Sequence, residues 1–150
     1  MRIEEITALE GRQGEEILLL MEELDPEIRV TSEMLRNVVE SENTHLFALM
    51  DGECIIGCAS LGVIDTPTGR KAHVEDVVVL STYRGQHLGR RLMEHVIDFA
   101  CRELGEVDLY LTSRPHRVAA NRLYQSLGFR KKETNCYKME VGGSYKRTIP

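Results

Sequence analysis

Val74-Glu75-Asp76-Val77-Val78-Val79-Leu80 leads through Ser81-Thr82-Tyr83-Arg84-Gly85-Gln86-His87-Leu88-Gly89 into Arg90-Arg91-Leu92-Met93-Glu94-His95-Val96-Ile97-Asp98-Phe99-Ala100, and the reading of the chain turns on this stretch. Val74 to Leu80 is short, apolar and rich in β-branched residues, which suits a buried strand. From Leu88 onward, Leu88, Leu92, Val96 and Phe99 recur at helical spacing, with Met93 and Ile97 beside them. Between the two lies a turn holding Gly85 and Gly89. A strand that passes through such a turn into a helix gathers unpaired backbone N–H groups at the positive end of the helix dipole. That is a ready place for a phosphate.

Outward from this unit, the chain alternates strands and helices. Residues 1–8 predict a first strand, Glu15 to Leu24 a helix stopped by Asp25-Pro26, and Thr31 or Ser32 the cap of a second helix with Met34, Leu35, Val38 and Val39 on one side. His45 to Met50 and Cys54 to Gly62 read as strands joined by the hairpin signal Asp51-Gly52, and residues 65–70 as a turn-rich loop. After the helix from about Gln86 to Glu103, Val107 to Thr112 alternates as a strand and Pro115 to Leu127 carries Ala120, Leu123, Tyr124 and Leu127 at helical spacing. Phe129 to Glu133 and Cys136 to Val141 predict a closing pair of strands. The expectation is a single mixed α/β domain over residues 1–150, in the order βααβββαβαβ. About six to seven strands are flanked by about four helices, with a loose tail from about Gly142.

Composition narrows the function. With 42% hydrophobic and 29% charged residues the chain reads as an ordinary globular protein, and no apolar run reaches the roughly 18 residues of a membrane span. The start, Met1-Arg2-Ile3-Glu4-Glu5, has no signal-peptide core, so a cytoplasmic location is expected. Cys54, Cys58, Cys101 and Cys136 form no C-x-x-C pair and read as free thiols; the histidines at 45, 73, 87, 95 and 116 show no paired metal spacing, so no metal is expected. A net charge of −5 speaks against nucleic acid. The distribution says more. Residues 1–60 hold 14 acidic and 4 basic side chains, a net of −10, and residues 61–150 hold 10 and 15, a net of +5. An asymmetry like this suits an anionic cofactor on the basic half and a cationic amine on the acidic half, or else simply solvated helix faces.

Arg84-x-x-x-x-Gly89, placed after Val77-Val78-Val79, resembles the acyl-CoA motif of the GNAT N-acetyltransferases, Gln/Arg-x-x-Gly-x-Gly/Ala, with His87 standing where the pattern has its middle glycine. Downstream, Ala120-Asn121-Arg122-Leu123-Tyr124 to Gly128-Phe129 resembles the closing motif of the same family. The resemblance runs from about residue 2 to 141. It implies the GNAT fold, in which the central strand and the next one splay apart around the thioester arm of acetyl-CoA. It also implies N-acetylation of a primary amine on a small molecule or a peptide, and it is compatible with a homodimer; charge and hydropathy give the expectation of no nucleic-acid or membrane partner.

The chemistry has four requirements: hold the pyrophosphate, polarise the thioester carbonyl, deprotonate the amine and protonate the leaving thiolate. Backbone from Arg84 through Gly85, Gln86, His87, Leu88 and Gly89 to Arg90 suits the first, with charge from Arg84, Arg90 and Arg91. By resemblance, main-chain groups of Val77, Val78 and Val79 pair with the cofactor arm. At period two, His73, Glu75, Val77 and Val79 share one face while Val74, Asp76 and Val78 take the other. Glu75 is the expected base, with His73 as the alternative, and Tyr124 is the expected acid by resemblance. Asn121, one turn before Tyr124, is placed to meet the pantetheine amides; Arg117, where the family often has asparagine, and Arg122 are alternatives for the phosphates. No Ser–His–Asp or Cys–His pattern is present, which favours direct attack by the amine. The competing reading is a GNAT-like domain that binds CoA without catalysis, and no G-x-x-x-x-G-K-Ser/Thr sequence supports a nucleotide P-loop.

Overall fold

The structure is a computed structural model that describes residues 1–142. Its elements are β1 (Arg2–Glu5), α1 (Gln13–Leu24), α2 (Ser32–Glu40), β2 (Thr44–Asp51), β3 (Cys54–Thr66), β4 (Gly69–Val79), α3 (Leu88–Phe99), β5 (Asp108–Tyr110) and α4 (Val118–Ser126). A 3₁₀ turn, Ser81–Tyr83, precedes α3, and a π turn, Ala100–Leu104, prolongs it. Local chemistry accounts for several boundaries. The Thr31 side chain accepts from Met34 N–H at 3.2 Å and caps α2. Gly52 turns the β2–β3 hairpin at φ 58°, a conformation that strains any residue with a Cβ.

Residues 65–70 are not a loop. β3 and β4 pair as far as Thr66 and Gly69, and Arg70 clasps Asp65 at 2.7 Å across the turn. Polar composition suggested a loop, but cross-strand pairs of opposite charge suit a solvent-facing hairpin equally well.

The sheet order is β1-β2-β3-β4-β5, antiparallel through β4 and parallel between β4 and β5. Both faces are covered. Leu46, Ala48 and Met50 of β2 pack with Ile17, Leu20 and Leu35 beneath α1 and α2. Phe47 and Leu49 pack with Leu92, Met93 and Val96 beneath α3.

Along β4 the alternation changes hands. Ala72 and Val74 face α3, and so do Val77 and Val79, while Val78 faces α1 and α2. The register explains the change. Ser60 of β3 sits opposite Glu75 and Cys58 opposite Val78, so two residues of β4 face Ala59 alone. This is a β-bulge, and Asp76 carries it with φ 53°. The simple period-two division therefore fails beyond Glu75. Val74 and Val78 lie on opposite faces. Asp76, next to the cluster under α1 and α2, shares that face with Glu75, whose partner Ser60 lies there too.

The predicted closing strands are absent. Among the described residues no strand follows β5, and the sheet has five strands rather than six to seven. Residues 130–142 are exposed, with Tyr137, Met139 and Val141 at 88%, 68% and 80%. Their alternation is strand-like, but a strand exists only where a neighbour completes its hydrogen-bond ladder. Of the expected tail, 143–150 lies outside the described residues.

Candidate active site

β4 and β5 stay together for only three pairs, Lys71–Asp108, Ala72–Leu109 and His73–Tyr110. Among the described residues β4 then runs on to Val79 paired with β3 alone, while the segment after β5 leaves toward α4. The resulting gap is a cavity. Its floor is Val74–Val77, one wall is the α1–α2 connection at Leu24–Ile28, and the other is the Leu111–Arg117 segment with Tyr124 of α4. Its volume is about 440 Å³.

The two walls differ in sign. Asp25, Glu27, Glu75 and Asp76 lie on one side, and Arg114, His116 and Arg117 on the other. The cleft is thus bipolar: Asp25 and Glu27 of the acidic N-terminal part are joined by Glu75 and Asp76 of β4, opposite the basic residues before α4.

Backbone groups are available on the open edge. Leu80 N–H donates to Ile56 O of β3 at 2.9 Å. Beyond the bulge, residues alternate along the strand in the side they address, so Val78 also turns to β3 while Val79 turns its N–H and C=O groups away from it. Gly57 lets the two strands approach: a Cβ there would lie 2.9 Å from Val78 O and 3.2 Å from Val79 Cγ2.

At the end of β4 the chain makes the 3₁₀ turn and enters α3. Gly85 has φ 80° and His87, the residue before the helix, φ 57° and ψ 24°. His87 therefore adopts the left-handed conformation that a glycine supplies without strain, so the turn keeps its course. The first intrahelical bond at this end runs from Arg91 N–H to His87 O at 3.1 Å, which leaves the N–H groups of Leu88, Gly89 and Arg90 without helical acceptors. The arginines are engaged: Arg84 with Glu23 at 3.7 Å, Arg90 with Glu94 at 3.0 Å and Ser126 at 2.9 Å, and Arg91 with Met1 O at 3.1 Å. Glu23 also accepts from Ser81 N–H at 2.6 Å, and the bonding to Ser81 holds its carboxyl below the ordinary range.

Of the residues expected from sequence, Glu75 and Tyr124 both line the cleft. Burial raises the Tyr124 phenol above its usual value, with the charge of Arg117 acting the other way. His73 is not among the residues lining the cleft. It stacks on Tyr110, with ring centroids 5.4 Å apart. The Asn121 amide donates to Arg114 O at 3.0 Å and holds the loop before α4, while Arg117 reaches the cleft. Cys58 is buried, and burial together with the Asp76 charge pushes its thiol up to about 12, so it is no nucleophile.

Asp76 reaches the cleft although the period-two reading assigned it to the opposite face from Glu75. Much of its surface is open to solvent, yet surrounding atoms displace enough water to raise its carboxyl pKa, as expected for a group standing in a concavity. The available signal was an aspartate in the middle of a β-branched run, a residue type that strands disfavour and left-handed positions tolerate.

The model of the acetyltransferase (GNAT) family matches residues 12–129. N-alpha-acetyltransferase RimI of Mycobacterium tuberculosis (strain H37Rv) is 31% identical over 91 residues, which are 61% of this chain and 55% of that protein, so the chain spans about half of that relative. Thialysine N-epsilon-acetyltransferase of Sus scrofa is 28% identical over 120 residues, 73% of this chain and 70% of that protein. Aminoglycoside N-acetyltransferase AAC(6')-Iy, solved in complex with CoA, shares the fold at 16% identity with a TM-score of 0.75, covering 93% of each chain.

Proposed function

The chain belongs to the acetyltransferase (GNAT) family, and on that premise we propose that it transfers the acetyl group of acetyl-CoA to a primary amine by direct attack. The observation that carries this reading is the parting of β4 from β5 after His73, beside a cleft lined by Glu75, Val77 and Tyr124; the main chain of Val77 and Val79 is the part of β4 assigned to the cofactor arm. The residues suit acetyl-CoA. The first-turn N–H groups of α3 take the pyrophosphate, the free edge of β4 takes the pantetheine arm, and Arg117 stands on the basic wall. Acetyl-CoA supplies an activated acetyl carbonyl and a thiolate leaving group.

Glu75 accepts one proton of the ammonium. The freed amine forms the N–C bond as the C–S bond breaks, Tyr124 gives its proton to sulfur, and the second proton from nitrogen restores the phenol. The sum is R–NH₃⁺ plus acetyl-CoA giving the acetamide, CoA–SH and one proton on Glu75. Burial keeps the Tyr124 phenol protonated through the neutral range, so its proton is present when the sulfur leaves. Small-molecule amines are the favoured acceptors. Among the described residues no helix is long and apolar enough to cross a membrane; exposed free thiols at Cys54, Cys101 and Cys136 support a reducing compartment such as the cytoplasm.

Calorimetric titration of acetyl-CoA, followed by thiol release on adding amines, tests the reading. Tyr124→Phe should lower turnover roughly 10²-fold or more and leave acetyl-CoA affinity within twofold. An unchanged rate removes the acid assignment, and no cofactor binding removes the function.

A second copy of the chain is the partner we propose for the open edge of the sheet. Among the described residues β5 is bonded to β4 on one side only, Val107, Leu109 and Leu111 in and around it are only partly buried, and Tyr137, Met139 and Val141 stand out on alternate residues. Pairing between copies would cover both. Light scattering should give twice the 17.1 kDa chain mass, and Met139→Glu should return the monomer. A wild-type monomer at every concentration tested would refute it.

A further inference from the structure

Beside the main cleft lies a second concavity of about 150 Å³, between the sheet and the two N-terminal helices. Ile17 and Met21 of α1, Leu35 and Val38 of α2 and Leu46 of β2 make its walls. Among the described residues only two polar side chains reach it, Ser60 and Asp76. Asp76 and Ile28 line both concavities, so the two adjoin there. Ile28 and Met34, 41% and 47% exposed, are the open part of the wall.

We infer that the acceptor is a primary amine carried on a compact apolar group, with its nitrogen at Asp76 and its hydrocarbon in the smaller cavity. This rests on the transferase reading above and names the class of acceptor for that site.

Three observations converge on it. Asp76 lines both the hydrocarbon-walled cavity and the cleft, so a cation held there has its charge beside Glu75 and its substituent against the apolar walls. The bulge that puts it there holds a non-glycine residue at φ 53° in mid-strand, a backbone conformation that L residues adopt at a cost. Without the bulge, Glu75 and Asp76 would point to opposite faces. Finally, the lining discriminates. A phosphate or a ring of hydroxyls in this cavity would exchange water for hydrocarbon, with Ser60 and Asp76 as its only side-chain partners. A hydrocarbon group gains about fourfold in binding per buried methylene. A cavity of this order accommodates a group of about six carbons.

The test is thiol release from acetyl-CoA with the full chain and a series of n-alkylamines from propyl to octyl, together with 2-phenylethylamine, ethanolamine and glucosamine. The expected result is a kcat/KM that climbs about three- to fourfold per methylene, peaks near six carbons, and exceeds that of glucosamine by more than tenfold. Met34→Trp, on an exposed position of α2, should shift the optimum to shorter chains. Asp76→Asn keeps a residue tolerant of the left-handed backbone and removes the charge; it should raise the KM for amines at least tenfold while the dissociation constant of acetyl-CoA stays within twofold. Intact acetyl-CoA binding with a flat alkyl series, a preference for glucosamine, or an unchanged amine KM in Asp76→Asn would overturn the inference alone. Absence of acetyl-CoA binding would overturn the transferase reading and this inference with it.

Discussion

Gly57→Ala probes the β3–β4 contact on which the cleft depends, and its sign is diagnostic. Gly57 is buried in mid-strand and its φ is not positive, so its backbone is open to any residue. With free space around it, alanine there would stabilise the protein by about 0.4–1 kcal/mol through the unfolded chain. The space is not free. The new Cβ would lie 2.9 Å from Val78 O, 3.2 Å from Val79 Cγ2 and 3.5 Å from Leu49 Cδ2. The nearest of these is backbone, so β4 itself must move by several tenths of an ångström. Overpacking of this kind costs about 1–3 kcal/mol. After the entropic gain is subtracted, a net loss of up to about 2.6 kcal/mol, centred on about 1.3, remains, or roughly 3–5 °C in Tm at the centre for a domain of this size. The displaced residues flank the main-chain groups assigned to the cofactor arm, so acetyl-CoA affinity should fall as well. Thermal unfolding by circular dichroism and calorimetric titration read the two effects. A Tm equal to or above wild type would refute the close approach of β3 and β4 and the geometry built on it.

Other outcomes follow from the same geometry. His87→Gly removes a side chain from a left-handed position; relief of roughly 1–2 kcal/mol against about 0.5–1 kcal/mol of glycine entropy predicts a Tm unchanged or raised by a few degrees and acetyl-CoA affinity equal or higher, whereas a clear loss of affinity would mean that the imidazole itself contacts the cofactor. Asp76 gives a pH signature. Its folded pKa lies above the ordinary carboxylate value of 3.8, so the folded state holds the proton more tightly, and stability falls as pH rises from that value through the raised one. Asp76→Asn abolishes this loss: the variant should be more stable than wild type at neutral pH, with the difference vanishing below the ordinary carboxylate range. Tm measured from acid to neutral pH decides it, and a variant less stable at neutral pH would show that the charged carboxylate is favourably paired.

Asp51-Gly52, Thr31 and the spacing of Leu88, Leu92, Val96 and Phe99 each carry their instruction locally, so the order of elements up to α4 could be read directly from sequence. The same holds for the turn from Arg84 to Gly89 and for the stretch around Tyr124, whose residue types at fixed offsets identify the family before any contact is known. The tertiary structure decided what depends on a partner. The β4 bulge exists because β3 supplies one residue where β4 supplies two, a count that β4 alone does not contain. That count moved Asp76 into the cleft and reversed the faces of Val77 and Val79 relative to Val74. His73 went to Tyr110 and Asn121 to Arg114 O, because stacking and hydrogen bonding were settled by neighbours distant in sequence or across a loop. For the segment from Cys136 to Val141, the alternation that looked like a strand met no ladder among the described residues. Periodicity reports which residues want burial. Only a paired edge turns that preference into a strand.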